Sequence, residues 1–157
     1  GHPMNESTKY LKVLADGSQV PASDPRTDHV AVLDTTRNLL IHPHSIGVNG
    51  KAAPLAKLLT ALVHLDVLGG SWKLATREEA ESILDLSRFN PAVDPNLFPG
   101  IKPRGHITAT PAAWAPVSTA WWVNLFSGDV DVSVTDAVND SFALAVRPAG
   151  QYVEVSQ

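Results

Sequence analysis

The chain has 157 residues, no cysteine and a formal net charge of -4, with 44% hydrophobic and 18% charged residues. That apolar content suits one compact core, scattered Lys and Arg in an acidic chain exclude a counterion-releasing nucleic-acid footprint, and the missing thiols exclude disulfides, thiolate metal sites and cysteine nucleophiles. No apolar run approaches the roughly eighteen residues of a membrane span, and no basic segment precedes an apolar stretch at the start, so neither membrane insertion nor a signal peptide is expected.

Gly1-His2-Pro3 ahead of Met4 reads as a tag scar and is set aside. Residues 1–28 are expected to be an N-terminal extension with one edge strand, because Tyr10-Leu11-Lys12-Val13-Leu14 mixes apolar and polar side chains in alternation. From Gly17 to Asp28 the chain is polar and carries Pro21 and Pro25, which reads as a loop. His29–Leu33 and Asn38–Ile41 flank Asp34-Thr35-Thr36-Arg37, a β-hairpin whose turn lacks glycine. Between Pro54 and Leu68, the side chains of Leu55, Leu58, Leu59, Leu62 and Leu65 form one apolar helical stripe. Pro54 suits the first turn, and Gly69-Gly70 supplies the left-handed conformations that end a helix.

A strand at Trp72-Lys73-Leu74 runs into a second helix after Thr76, where Thr76 and Glu79 have the spacing of a reciprocal capping box. Ala80, Ile83 and Leu84 give that helix a narrow buried side. Ser87 to Arg104 holds four prolines and reads as an irregular loop, held in order by Phe89, Val93, Leu97, Phe98 and Ile101. Three β-like runs follow, at 106–110, 120–126 and 130–134, the last two joined by Ser127-Gly128-Asp129 in a hairpin. A final strand is expected over Ser141–Arg147, and residues 151–157 form a tail.

Taken in order, these pieces resemble the Lcl C-terminal domain family of bacteria and phages. The resemblance rests on the opening hairpin, the leucine-striped helix, Trp72-Lys73-Leu74-Ala75-Thr76 entering a Glu-rich helix, and the Asn90-Pro91 and Asp94-Pro95 loop with Phe98-Pro99. The Ser127-Gly128 hairpin and the closing Val146-Arg147-Pro148 complete it, and it covers residues 29–150. Many members open with Asp-x-x-Thr-Gly-Leu-x-Trp where this chain has Asp34 to Ile41 without that Gly or Trp, and have Trp-Arg-Leu-Pro-Thr where it has Trp72 to Thr76. The resemblance implies an α+β, C-type-lectin-like fold: two helices packed on a twisted antiparallel sheet, with long loops presenting a binding surface, and Trp72 in the core. The calcium motifs of sugar-binding C-type lectins, Glu-Pro-Asn or Gln-Pro-Asp with Trp-Asn-Asp, are absent, so calcium-dependent sugar binding is not implied.

Other constellations have plain readings. His42-Pro43-His44 offers two imidazoles to a metal but no third ligand, and reads as an exposed strand-end loop. His29, His64 and His106 share no ligand spacing, and His64 reads as a helix-surface residue. No Gly-x-Ser-x-Gly elbow or phosphate loop occurs. Asp129, Asp131, Asp136, Asn139 and Asp140 make the hairpin region acidic, yet alternation with Val130, Val132 and Val134 places Asp129, Asp131 and Ser133 on a solvated strand face. Trp121 and Trp122 are neighbours in a strand and must face opposite sides, so one occupies the core while the other is exposed, covered by the proline-rich loop, or part of an interface.

The expected function is that of a non-catalytic recognition module, phage-encoded and without a cofactor, binding a host protein or cell-surface glycan. Its binding residues would be Trp114, Trp121, Trp122, Asn124, Asp129, Asp131 and Asn139, in loops near Ser87 to Arg104 and Thr110 to Thr119 with the Ser127 to Asn139 hairpin beside them. A virion or tail-associated receptor binder and a host-cell cytoplasmic effector that inhibits a host or defence protein both fit, with self-association left open. An enzyme related to the formylglycine-generating fold is the third class, and that chemistry depends on a cysteine this chain lacks.

Overall fold

The computed structural model describes residues 9–134 and 139–150. In chain order the strands and helices are β1 (Tyr10–Val13), β2 (Gln19–Pro21), β3 (Ala31–Asp34), β4 (Leu39–Ile41), α1 (Leu55–His64), β5 (Lys73–Leu74), α2 (Arg77–Glu81), β6 (Gly105–Ile107), β7 (Thr119–Asn124), β8 (Val130–Val134), β9 (Phe142–Ala143) and β10 (Ala145–Pro148). The protein is thus mixed α+β, but its strands form two sheets where one was expected. A six-stranded antiparallel sheet runs β2-β1-β3-β4-β10-β5, and a four-stranded sheet runs β8-β7-β6-β9, with β6 and β9 parallel.

The strand expected at the edge is an inner one: β1 pairs with both β2 and β3, so the segment from Tyr10 to Pro21 completes the six-stranded sheet. One side chain of β1 explains its security there. Lys12 is fully buried, yet its ammonium donates to the carbonyls of Asp24 and Arg26 and, at 3.0 Å, to Asn96 Oδ1. A charge taken from water needs such a complete set of acceptors, and these acceptors come from two loops, which Lys12 therefore fastens to the sheet. Burial pushes its pKa down.

Local chemistry accounts for the hairpin and the helix ends. In the β3–β4 turn the Asp34 carboxylate accepts from the N–H groups of Thr36 (3.0 Å) and Arg37 (3.1 Å), while Asn38 takes the left-handed conformation (φ 53°) that a glycine would otherwise supply. α1 keeps only part of the expected stripe: Leu58 and Leu62 are buried, whereas Leu59 is 44% exposed. It also stops at His64, and a short 3-10 turn follows at Val67–Gly69. The carbonyls beyond His64 find tertiary donors, Trp72 Nε1 on Val67 O (2.8 Å) and the Arg147 guanidinium on Leu68 O (2.8 Å) and Gly70 O (2.6 Å), so the helix has no need of further turns. Trp72 itself is core, 5% exposed. α2 carries the full capping box, Glu79 N–H to Thr76 Oγ1 at 3.2 Å and Thr76 N–H to Glu79 Oε1 at 2.9 Å, but spans only five residues.

The expected strand over Ser141–Arg147 is two strands broken at Leu144. β9 joins the four-stranded sheet beside β6, and two residues later β10 joins the six-stranded sheet between β4 and β5. The run also serves flanking segments, exchanging hydrogen bonds with Ala53 through Ser141 and with Ile46 through Ala143, while Leu144 O accepts from Ala75 N–H at 3.0 Å. Its central strands β3 and β4 are buried on both faces, so Ala31-Val32-Leu33 and Leu39-Leu40-Ile41 read as unbroken apolar runs and not as alternation. One core, with Val32, Ile41, Ile83, Phe98, Val123 and Leu144, lies under α2 and the 92–101 segment; the other, with Leu33, Leu40, Leu58, Leu62, Trp72 and Ile107, lies under α1. Leu144 is 1% exposed at the break, so Leu144→Ala is expected to lower unfolding free energy by about 2–5 kcal/mol, measured by urea denaturation.

Candidate functional site

β7 presents Trp121 and Trp122 to opposite sides. Trp122 faces the core that contains Ile107 and Ala120, and its indole lies flat against Gly105, where an added Cβ would meet the ring at 2.0 Å. Trp121 faces the side of α2. The Arg77 guanidinium lies 4.3 Å from the centre of its ring, and the Trp114 ring meets it edge-on with centroids 5.7 Å apart. Trp121 is therefore covered, and of the alternatives left open for it the structure shows coverage, by Arg77 and Trp114 of the 109–118 loop and not by the proline-rich loop.

Trp114 stays 69% exposed, and Val117 in the same loop 95%. The loop is held at both ends. Trp121 N–H donates to Thr110 O at 2.8 Å, Thr110 Oγ1 accepts from Arg77 N–H at 2.9 Å, and Thr119 Oγ1 donates back to Ala115 O at 2.7 Å. Arg77 is oriented by Glu81, whose Oε1 lies 2.8 Å from its Nε. An exposed pair of this kind contributes only about 0.3–0.5 kcal/mol, so its role is to aim the guanidinium across the indole. Trp114, Trp121 and Arg77 thus form a fixed aromatic and cationic ledge at the start of β7.

The remaining expected residues do not join it. Asn124 is a turn residue: its Oδ1 accepts from Phe126 N–H at 3.0 Å, and its backbone closes the hairpin with Gly128 and Asp129. Asp129 is exposed and accepts from the Ser127 hydroxyl at 3.1 Å. Asp131 is exposed opposite Trp122 and accepts from Val132 N–H, with Val130 and Val132 half-buried as strand alternation requires. Asn139 and Asp140 are exposed, and Asp136 lies outside the described residues.

Two features escaped the sequence. At the far end of β7, Leu86 (76% exposed), Phe89 (73%) and Phe126 (41%) form an apolar patch, Phe89 and Phe126 meeting edge-on at 6.2 Å. Phe89, expected to pin its loop inward, points out, while Val93, Leu97, Phe98 and Ile101 do the pinning. Beside the patch opens a cavity of about 690 Å³ whose wall includes Tyr10, Ala22, Ile83, Leu84, Asp94 and Phe98. Tyr10 donates to Ser82 O at 3.2 Å, and its pKa is pushed up to about 12, chiefly by burial and then by Asp34. Phe126 and Leu86 could have been suspected from large apolar residues placed directly at a turn and a helix end.

Of the five described histidines, three are internal. His106 is fully buried; its Nδ1–H donates to Arg104 O at 2.8 Å and its Nε2 accepts from the Ser45 hydroxyl at 2.6 Å, while Ser45 Oγ accepts from Lys102 N–H at 2.9 Å. Burial pushes its pKa from 6.5 to about 4. A serine bonded to a histidine invites comparison with a nucleophile and its base. This imidazole is enclosed and held neutral, however, and the pair ties the loop after β4 to β6. His42, expected in an exposed loop, is 8% exposed and packs edge-on against Trp72, whereas His44 is exposed. His64 is exposed on α1, as expected. Among the described residues no three His, Asp or Glu side chains gather as a metal set.

Residues 32–148 match the Lcl C-terminal domain family, and the chain belongs to that family. No curated protein and no solved structure matches it. β1 and β2 precede the matched residues, so one wall of the cavity is built by chain outside them.

The two kinds of tryptophan make a clean contrast. Trp114→Ala is expected to change stability by no more than about 0.5 kcal/mol, as surface substitutions do, whereas Trp122→Ala is expected to cost about 2 kcal/mol or more because it uncovers core; thermal and urea unfolding of the two variants check this.

Proposed function

We propose that this domain is a non-catalytic recognition module of phage origin that binds a host protein or a cell-surface glycan through its loops. The observation that carries the reading is Trp114: a large side chain left 69% exposed on a loop whose backbone is bonded at both ends. Tryptophan, tyrosine and arginine are enriched among the strong contact points of interfaces, and a side chain already held in place loses less entropy on binding. Trp121 under Arg77 gives Trp114 that support. We read the scaffold as a variant of the C-type-lectin-like fold, supported by two short helices on antiparallel strands and by long irregular connections at 82–104 and 108–118.

A virion or tail-associated receptor binder is the leading setting. The apolar patch of Leu86, Phe89 and Phe126 favours the second reading, an effector acting on a host or defence protein in the host-cell cytoplasm, since such patches meet protein more readily than sugar. Labelled protein is to be tested on intact bacterial cells, on a glycan array and by affinity purification from lysate. In the assay that shows binding, Trp114→Ala and Arg77→Ala are each expected to weaken it about tenfold or more. Equal binding by both variants and the parent would remove the ledge from the site.

A further inference from the structure

The segment Leu97–Arg104 closes over a buried imidazole at each of its ends. At one end Leu97 O accepts from His29 Nε2–H at 2.7 Å; at the other Arg104 O accepts from His106 Nδ1–H at 2.8 Å. Between them Gly100 lies under the His44 ring, where an added Cβ would come within 1.8 Å of Nδ1, and Lys102 N–H is tied through Ser45 Oγ to His106. His29 and His106 are 1% and 0% exposed. Since a carbonyl can only accept, each contact fixes one neutral tautomer. His106 has both nitrogens satisfied in that form. His29 Nδ1 is buried with no partner, a cost already carried by its lone pair to which a proton would add a buried charge and an unpaired donor.

We propose that Leu97–Arg104 is an acid-released lid: protonation of His29 and His106 requires both rings to reach water, and the lid lifts while the two sheets remain folded. A proton on His29 would create a buried N–H without an acceptor. It would also set a second cation near the buried ammonium of Lys12 on β1, with the exposed His44 nearby; of the carboxylates, Asp28, next to it in the chain, acts on the ring itself, while Asp24 and Asp94 act on the Lys12 ammonium. A proton on His106 would sit in an enclosed space bounded by Ser45, the Arg104 carbonyl and the Phe142 ring, which the Arg104 guanidinium also approaches, at 6.0 Å. Against lifting stand Leu97, Phe98 and Ile101 in the core, the Lys12 contact to Asn96, and the Gly100 bonds to Pro43 and Ser45. Lifting is therefore a minor state at neutral pH.

The sign follows from burial. Both histidines have pKa values lowered below the ordinary 6.5, His106 to about 4. The opened form thus binds protons at a higher pH than the closed form, and closure weakens as pH falls from 6.5 towards 4. From His106 alone the open population is expected to rise about 30-fold between pH 7.5 and 5. The lid falls within the loop assigned above to binding, but its opening needs no ligand to be seen, so the two readings fail separately.

The test is amide hydrogen exchange at pH 7.5 and 5, corrected for intrinsic rates, on the whole chain. Exchange at Phe98, Gly100 and Ile101 is expected to accelerate at least tenfold more than at the paired amides of β3 and β4. His29→Gln with His106→Asn keeps a donor for each carbonyl without a titrating ring, and is expected to abolish the difference. If that double variant does not fold, histidine NMR of the parent decides: both rings must titrate below pH 6.5 in step with lid exchange. Unchanged lid exchange at pH 5, uniform acceleration of lid and sheets, or an undiminished acid effect in the folded double variant would overturn the proposal.

Discussion

The structure depends on one backbone crossing, the run from Ser141 to Pro148. Its amides and carbonyls find partners on β6, on the segments around Ile46 and Ala53, on Ala75, and then on β4 and β5. Phe142 to Val146 are each 3% exposed or less. A polar backbone so deeply buried must be bonded almost without exception, and this run meets the demand only by belonging to two sheets in succession. The break at Leu144 is where it passes from one to the other, and Leu144 itself fills the core beneath α2. The relative placement of the sheets, and of every loop hung between them, follows from that passage.

The loops inherit their order from it. α2 begins directly after Ala75, which hydrogen-bonds to Leu144 O, and lies along β7, so Arg77 arrives over Trp121 by way of the scaffold and not by its own preference. Trp114 then leans on Trp121. At the other end of β7 the same two elements bring Leu86 and Phe126 to the surface with Phe89. The ledge and the patch are consequences of one packed pair of elements, separated by its length, which suits a face that meets a large partner at more than one point.

What could be read from the sequence was what neighbours in the chain decide. The Thr76 capping box, the hairpin at Ser127-Gly128-Asp129 and the opposition of Trp121 and Trp122 all rest on residues a few positions apart, whereas core Trp72 followed from the family resemblance and α1 ended at His64, ahead of Gly69-Gly70. What stayed hidden was set by distant partners. An apolar run such as Phe142 to Val146 has the same composition whether it serves one sheet or two. Lys12 looks like a solvated strand residue until carbonyls from the 24–26 loop and Asn96 converge on it, and His106 looks isolated until Ser45 arrives from sixty-one positions away. Family membership was legible because it depends on the order of local signals; the ledge was legible only in part, since Trp114 and Trp121 were named without Arg77, and Asn124 proved to be a turn residue.

If the run from Ser141 to Pro148 joins the sheets into one unit, they must unfold together. The direct measurement is a urea titration of the unmodified protein followed by its indole N–H resonances, with Trp72 reporting the core under α1 and the six-stranded sheet, and Trp122 reporting the four-stranded sheet. A single shared midpoint for the two signals is the expected result. Loss of the Trp122 signal at lower urea, with Trp72 still native, would show that the four-stranded sheet stands apart and would contradict the account.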